Sequence, residues 1–282
     1  MSSGPAAPDD ATGEESGRIL ADTMTSVQMA AHRRRNGILL LPVGSFEMHG
    51  YHVGMSCDTF VGMATCRVLA EEWDAVVLPP VYYTFSGATK PFPGTVDVPP
   101  PAMVDYLVAV ISAIFENGFK RLVLIGPHGP HRFTLQTVLR TVFRKTGQIP
   151  VYYRPQTNFR QWVREEYEHD HGEAAAYLAA LYICGRHGEF DPAVAEDEIR
   201  PSTSTSEHFE ELGRRGVISP YYMVRPEDHV PRYPGLTLDD APRLAQVFRD
   251  SIREAARGIP EVYGKWQQDM WQALEQAPWD DV

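Results

Sequence analysis

The fifteen residues Gly44–Asp58 hold the densest set of side chains able to do chemistry: Glu47, His49, His52 and Asp58. Carboxylate oxygens and imidazole nitrogens in one loop suit Zn²⁺, Mn²⁺ or Fe²⁺, and a carboxylate such as Asp58 could bridge two ions. Glycines at 44, 50 and 54 leave the backbone free to turn. The loop follows the apolar run Ile38–Val43, which reads as a buried strand. No single short regular element would aim all four groups at one point, but a glycine-bearing loop leaving a strand end can. The plain alternative is a polar surface loop that happens to be rich in acids and histidines, and spacing alone does not separate the two.

The elements that must position this loop follow from the rest of the chain. At 282 residues, with 43% hydrophobic and 22% charged residues, the composition is that of a globular α/β protein. A net charge of −11 argues against a nucleic-acid partner, which would want a basic face. Three cysteines (Cys57, Cys66, Cys184) form no framework and no CxxC pair, which fits a reducing cytoplasm. Cys57 reads as a packing residue. No apolar run reaches the ~20 residues of a membrane span, and the N-terminus has no secretory pattern.

Residues 1–19 are small, acidic and proline-bearing and are expected to be disordered; residues 20–282 are expected to form one domain. Helical spacing runs over 20–35, closed by three arginines, and again over 59–73. A short strand is expected at 75–78, and 82–101 is a long Gly- and Pro-rich loop. A helix with a strong apolar stripe starts at Pro100-Pro101 and ends at Asn117-Gly118. Arg121–Ile125 is a third strand. The polar turn Gly126-Pro-His-Gly-Pro-His131 follows, then a helix to about Lys145 and a strand at 150–153. Helices are expected at 161–167 and 173–186, and in two pieces from Asp240. Residues 191–234 lack periodicity, and 201–206 is a candidate lid. Trp162 could cover a substrate.

Helices alternating with strands argue for a parallel sheet with helices on both faces. In such sheets sites form at the carboxyl ends of the strands. The loop after the first strand carries Glu47 to Asp58, and the loop after the third carries His128 and His131. Both leave at the same edge, which brings them together without reference to any relative.

Pro42-Val-Gly-Ser-Phe-Glu-Met-His-Gly-Tyr-His52, followed by Asp58-Thr59, resembles the opening signature of the creatininase (creatinine amidohydrolase) family. Phe92-Pro-Gly-Thr95 resembles that family's F-P-G-T segment, with Thr89 where a histidine is common. His128 matches a metal-binding histidine, although Gly126, Pro127, Pro130 and His131 depart from the usual N-G-H-G-G-N. The segment from His169 to Glu173 is similar to an H-A-G-E segment. The resemblance covers roughly 37–181 and weakens beyond it.

The resemblance implies a three-layer α/β/α sandwich with a mostly parallel sheet, and often a homo-oligomer such as a hexamer. It implies a metal-dependent amidohydrolase that cleaves or forms a C–N amide bond in a small cyclic amide, formamide or peptide-like substrate through a metal-bound hydroxide. One or two ions are expected, zinc first, manganese or iron otherwise. Glu47, Asp58 and His128 would hold one ion; His49, Asp58 and Glu173 the second. Glu173 and His171 are the catalytic candidates, with His171 handing a proton to the leaving nitrogen. His52, Thr89, Phe92, His131 and Trp162 are the candidates on the substrate side. Two alternatives stay open: a relative that keeps the metal but runs another biosynthetic reaction, with His131 replacing a lost ligand, and a silent binding protein.

Overall fold

The computed structural model describes residues 19–167, 169–190, 207–225, 228–230 and 235–276. The expected tail (1–18) and the expected lid (201–206) lie outside the described residues. Ile19, which the expected tail included, is described: its carbonyl accepts from Val77 N at 2.7 Å, against the sheet.

Among the described residues four parallel strands form the sheet, in the order β2 (Val76–Val77), β1 (Ile38–Pro42), β3 (Arg121–Ile125), β4 (Val151–Tyr153). Leu39 pairs with Val76 on one side and Leu122 on the other, and Val123 pairs with Val151. Strand periodicity sorts the side chains onto two faces. Ile38, Leu40, Val123 and Ile125 pack into one core with α2 (Cys57–Trp73), α6 (Gly172–Ile183) and α8 (Ala241–Ala256). Leu39, Leu41, Leu122 and Leu124 pack into the other with α3 (Pro100–Glu116) and α4 (His131–Thr146). Both faces of β1 and β3 are therefore dry. This is why their sequences are continuous apolar runs, each buried leucine contributing about 2 kcal/mol. The result is an α/β/α sandwich around a parallel sheet.

Several elements differ from their sequence expectation. Residues 20–35 divide into a single 3₁₀ turn (Ala21–Thr23) and α1 (Ser26–Arg34), because Thr25 caps α1 with a capping box to Gln28. Val27, one of the residues at helical spacing in this stretch, is 72% exposed. The second helix starts at Cys57, so Asp58 lies in its first turn, where the helix dipole favours a carboxylate. His131 is the first residue of α4 rather than part of the preceding loop. The aperiodic stretch contains α7 (Glu207–Arg214). Between α4 and α6 lies α5 (Phe159–Tyr167). The C-terminal pieces are α8 and α9 (Ile259–Glu275), hinged at Gly258 with φ 75°. From α9, Tyr263 reaches under the sheet, its hydroxyl donating to Ile149 O at 2.7 Å. Among the described residues no helix is long and apolar enough to cross a membrane.

Candidate metal centre

The site is built at the carboxyl edge of the sheet, from the loop after β1, the first turn of α2, the turn after β3 and the first turn of α6. Gly44 lets the loop leave β1 against α2, since a Cβ there would lie 2.0 Å from Thr59 Oγ1. Thr59 donates to Ser45 O at 3.0 Å, tying loop to helix. The Phe92–Thr95 turn braces the loop from outside: Met48 N donates to Thr95 Oγ1 at 3.0 Å, and Val96 N to Phe46 O at 2.9 Å.

Asp58 stands at the centre. Its Oδ2 lies 2.9 Å from His128 Nδ1 and 3.5 Å from His49 Nε2, and it accepts from Ser45 Oγ at 2.8 Å. Glu47 Oε1 is also 2.9 Å from His128 Nδ1, and Glu173 Oε1 is 3.6 Å from His49 Nε2. Each imidazole is oriented from behind. A carbonyl only accepts, so His128 Nε2–H donates to Phe85 O at 2.9 Å and His49 Nδ1–H to Glu47 O at 3.0 Å. The nitrogens left over are those that face the carboxylates.

These groups also lean on one another. Burial penalises the Asp58 carboxylate, but His128 and His49 outweigh it and hold the acid well below the usual range. Burial likewise lowers the two imidazoles, but Asp58 with Glu47 lifts His128 to about 10, and Asp58 with Glu173 and Glu47 lifts His49 to about 9. Such perturbed groups beside a cleft mark a functional site.

The residues fit divalent metal. The set Glu47, Asp58 and His128 presents ligand atoms within 4.8 Å of one another, as does the set Glu47, His49 and His229. His49 Nε2 is fully buried with no hydrogen-bond partner, a costly state for a ring nitrogen that a ligand role relieves. Cys57 also stands within ligand distance of His49 and Glu173, where burial pushes its thiol well above the ordinary value.

A cavity of about 1410 Å³ opens onto the centre. Its wall includes Glu47, Asp58, Thr89, His128, Glu173 and His229, and its far side is built by the 207–225 segment with Phe209, Tyr221 and Tyr222. Thr89 faces this space and also donates its hydroxyl to Glu47 Oε2. The other substrate-side candidates lie off the wall. His131 is buried behind His128, its ring edge-on at 4.8 Å, with Nε2–H donating to Thr84 Oγ1 at 3.2 Å. His52 packs edge-on against Phe190, and Phe92 sits in the bracing turn. Trp162 stacks on Phe159, with the Arg243 guanidinium 5.0 Å over its ring. His171 is 2% exposed at the N-cap of α6, its ring against Tyr167 at 5.7 Å and His169 at 6.0 Å. His229 is the site residue that the sequence reading passed over. It lies in an aperiodic stretch with no companion at ligand spacing.

Known proteins place this centre in context. Solved creatininases share the fold. A creatinine amidohydrolase structure aligns with TM-score 0.62 and 19% identity over 86% of this chain and 97% of its own. A manganese form gives 0.61 and 20% over 85% and 98%, and a Zn-Zn form of a mutant gives 0.63 and 19% over 85% and 97%. Among curated proteins, the 3-dehydro-scyllo-inosose hydrolase of Thermotoga maritima is 31% identical over 47% of this chain and 42% of its own. The creatinine amidohydrolase of Pseudomonas putida is 33% identical over 32% and 37%, and the mycofactocin precursor peptide peptidase of Mycolicibacterium smegmatis is 33% identical over 40% and 49%. The chain thus spans less than half the length of each of these curated relatives. The sequence profile of the creatininase family, described as creatinine amidohydrolase, matches residues 22–220, and the chain belongs to that family.

Proposed function

We propose that the chain is a metal-dependent amidohydrolase that breaks, or in reverse forms, a C–N amide bond. Glu47, Asp58 and His128 would hold one divalent ion, zinc first or manganese or iron otherwise. His49, Asp58 and Glu173 would hold a second, with Asp58 shared. The observation that carries this reading is the position of Asp58 Oδ2, 2.9 Å from one oriented imidazole and 3.5 Å from another. A bound divalent ion supplies Lewis acidity and lowers the pKa of water to roughly 7 on zinc.

The chain's own residues do the rest. The carbonyls of Phe85 and Glu47 fix the two rings, Ser45 fixes Asp58, and Thr89 fixes Glu47 while facing the substrate. The far wall offers aromatic surface to a bound substrate. The family resemblance implies proton delivery to the leaving nitrogen by His171, two residues before Glu173, although its ring is buried at the start of α6 and does not line the cavity. His171→Ala should then lower kcat with metal content unchanged, and an unchanged kcat removes it from the reaction.

The relatives' names run from a creatinine amidohydrolase to a precursor-peptide peptidase, so no substrate transfers directly. The cavity, about 1410 Å³, exceeds the ~300–1000 Å³ of ordinary small-ligand pockets and favours an extended, peptide-like amide. The free cysteines suit a reducing cytoplasm. Val262 and Trp266, exposed along α9, suit a homo-oligomer.

The test is metal content per chain, on protein purified without chelator or metal-affinity tag. We expect two equivalents in the native chain and none in Asp58→Ala. Two tightly held ions in that variant would sink the shared-carboxylate model.

A further inference from the structure

We propose that His229 is a further ligand of the ion on the His49 side of the centre, delivered by a part of the chain beyond the residues matched to the family. The inference rests on the metal reading above. The family match ends at residue 220, and His229 follows it.

Three observations converge on this assignment. The ring of His229 lies 4.4 Å from that of His49, tilted by 34°. Its ligand nitrogen, that of His49 and a Glu47 oxygen all lie within 4.8 Å of one another. Two ligands on one tetrahedral zinc at 2.0–2.2 Å stand roughly 3.3–3.6 Å apart, so closing these side chains on one ion takes a shift of up to about 1.5 Å, within reach of side-chain rotation. His229 also borders the cavity, so it meets the ion from the substrate side, whereas His49 is buried behind.

The third observation is how the backbone brings His229 there. Val230 is 3% exposed and belongs to the same core as Val53 of the loop. Its carbonyl passes so close to Gly50 that a Cβ at 50 would lie 2.6 Å from it, and Gly50 has φ 78°, where side chains are strained. The glycine between His49 and the rest of the loop therefore admits the strand of chain that carries His229. The carboxylates of Glu173, Glu47 and Asp58 surround the pair. Two imidazoles in contact inside a ring of carboxylates are what a shared cation would draw together.

The experiment loads the full chain with Co²⁺ alone and reads bound cobalt by elemental analysis, its visible absorption, and its retention against a chelator. The native chain is compared with His229→Gln, His229→Ala and Gly50→Ala. We expect two cobalt ions in the native chain. In each variant one ion should be held about 10- to 100-fold more weakly, with a changed absorption band, while the ion at Glu47, Asp58 and His128 stays in place. His229→Gln keeps the side-chain volume, so a folding defect in His229→Ala alone cannot mimic the result. Two ions with native retention and native spectrum in both His229 variants would overturn the inference and leave the metal centre standing. A native chain that binds no cobalt would overturn both.

Discussion

The ring of His131 occupies the space that a side chain at residue 126 would need. A Cβ on Gly126 would lie 2.7 Å from His131 Nδ1. Both positions depart from the asparagines common in the family, and in three dimensions the two departures are one exchange. His131 stays neutral, since burial and the neighbouring His128 push it well below its usual value. Gly126→Ala should destabilise the fold by about 1–3 kcal/mol through overpacking. Adding His131→Asn should return much of that loss, read as coupling in a denaturation double-mutant cycle. Additive losses would refute the exchange.

Thr89 holds Glu47 from the cavity side. Glu47 is 1% exposed, so losing this donor leaves a buried carboxylate oxygen short of a partner. Thr89→Ala is expected to weaken the ion at Glu47 by about 10- to 100-fold, and Thr89→Ser to restore it. Chelator competition followed by elemental analysis reads both. Equal affinity in all three chains would make Thr89 a substrate contact alone.

Chelated protein should lose stability as the pH rises. His49 and His128 are raised to about 9 and about 10 from 6.5. Their stabilisation is fully present below about 6.5 and disappears as pH climbs through those folded values. Asp58, held low, works in the opposite sense and matters only in acid. Metal needs neutral imidazoles, so the loaded protein should lack the alkaline loss, and metal affinity should rise up to about pH 10. Melting temperatures of both forms from pH 6 to 10.5 test this. Parallel curves would mean that the two imidazoles are not the ligands.

Cys57 sits beside His49 and Glu173 but should take no part. Cys57 and Cys66 are buried with thiols well above the ordinary value, and Cys184 is half-buried. In native protein near pH 8 a thiol reagent should label Cys184 first and the other two only on unfolding. Cys57→Ala should keep both ions; loss of one would make the thiol a ligand.

How much of this was legible in the sequence depended on how local each feature is. β3 matches its expected span of Arg121–Ile125, because a strand buried on both faces writes itself as an unbroken apolar run. The sequence by itself determined the parallel sheet, the metal loop and the edge at which His128 joins it. Spacing, turn chemistry and strand order suffice for these.

Only the tertiary structure decided the rest. It made Thr89 a partner of Glu47, 42 positions away, and set His131 behind the centre instead of on the cavity wall. It carried Trp162 and His52 away from the cavity and set the ring of His229 against His49. These contacts join segments far apart in the chain. They depend on which side chains fill the remaining volume once the two cores close, and no short-range pattern encodes that.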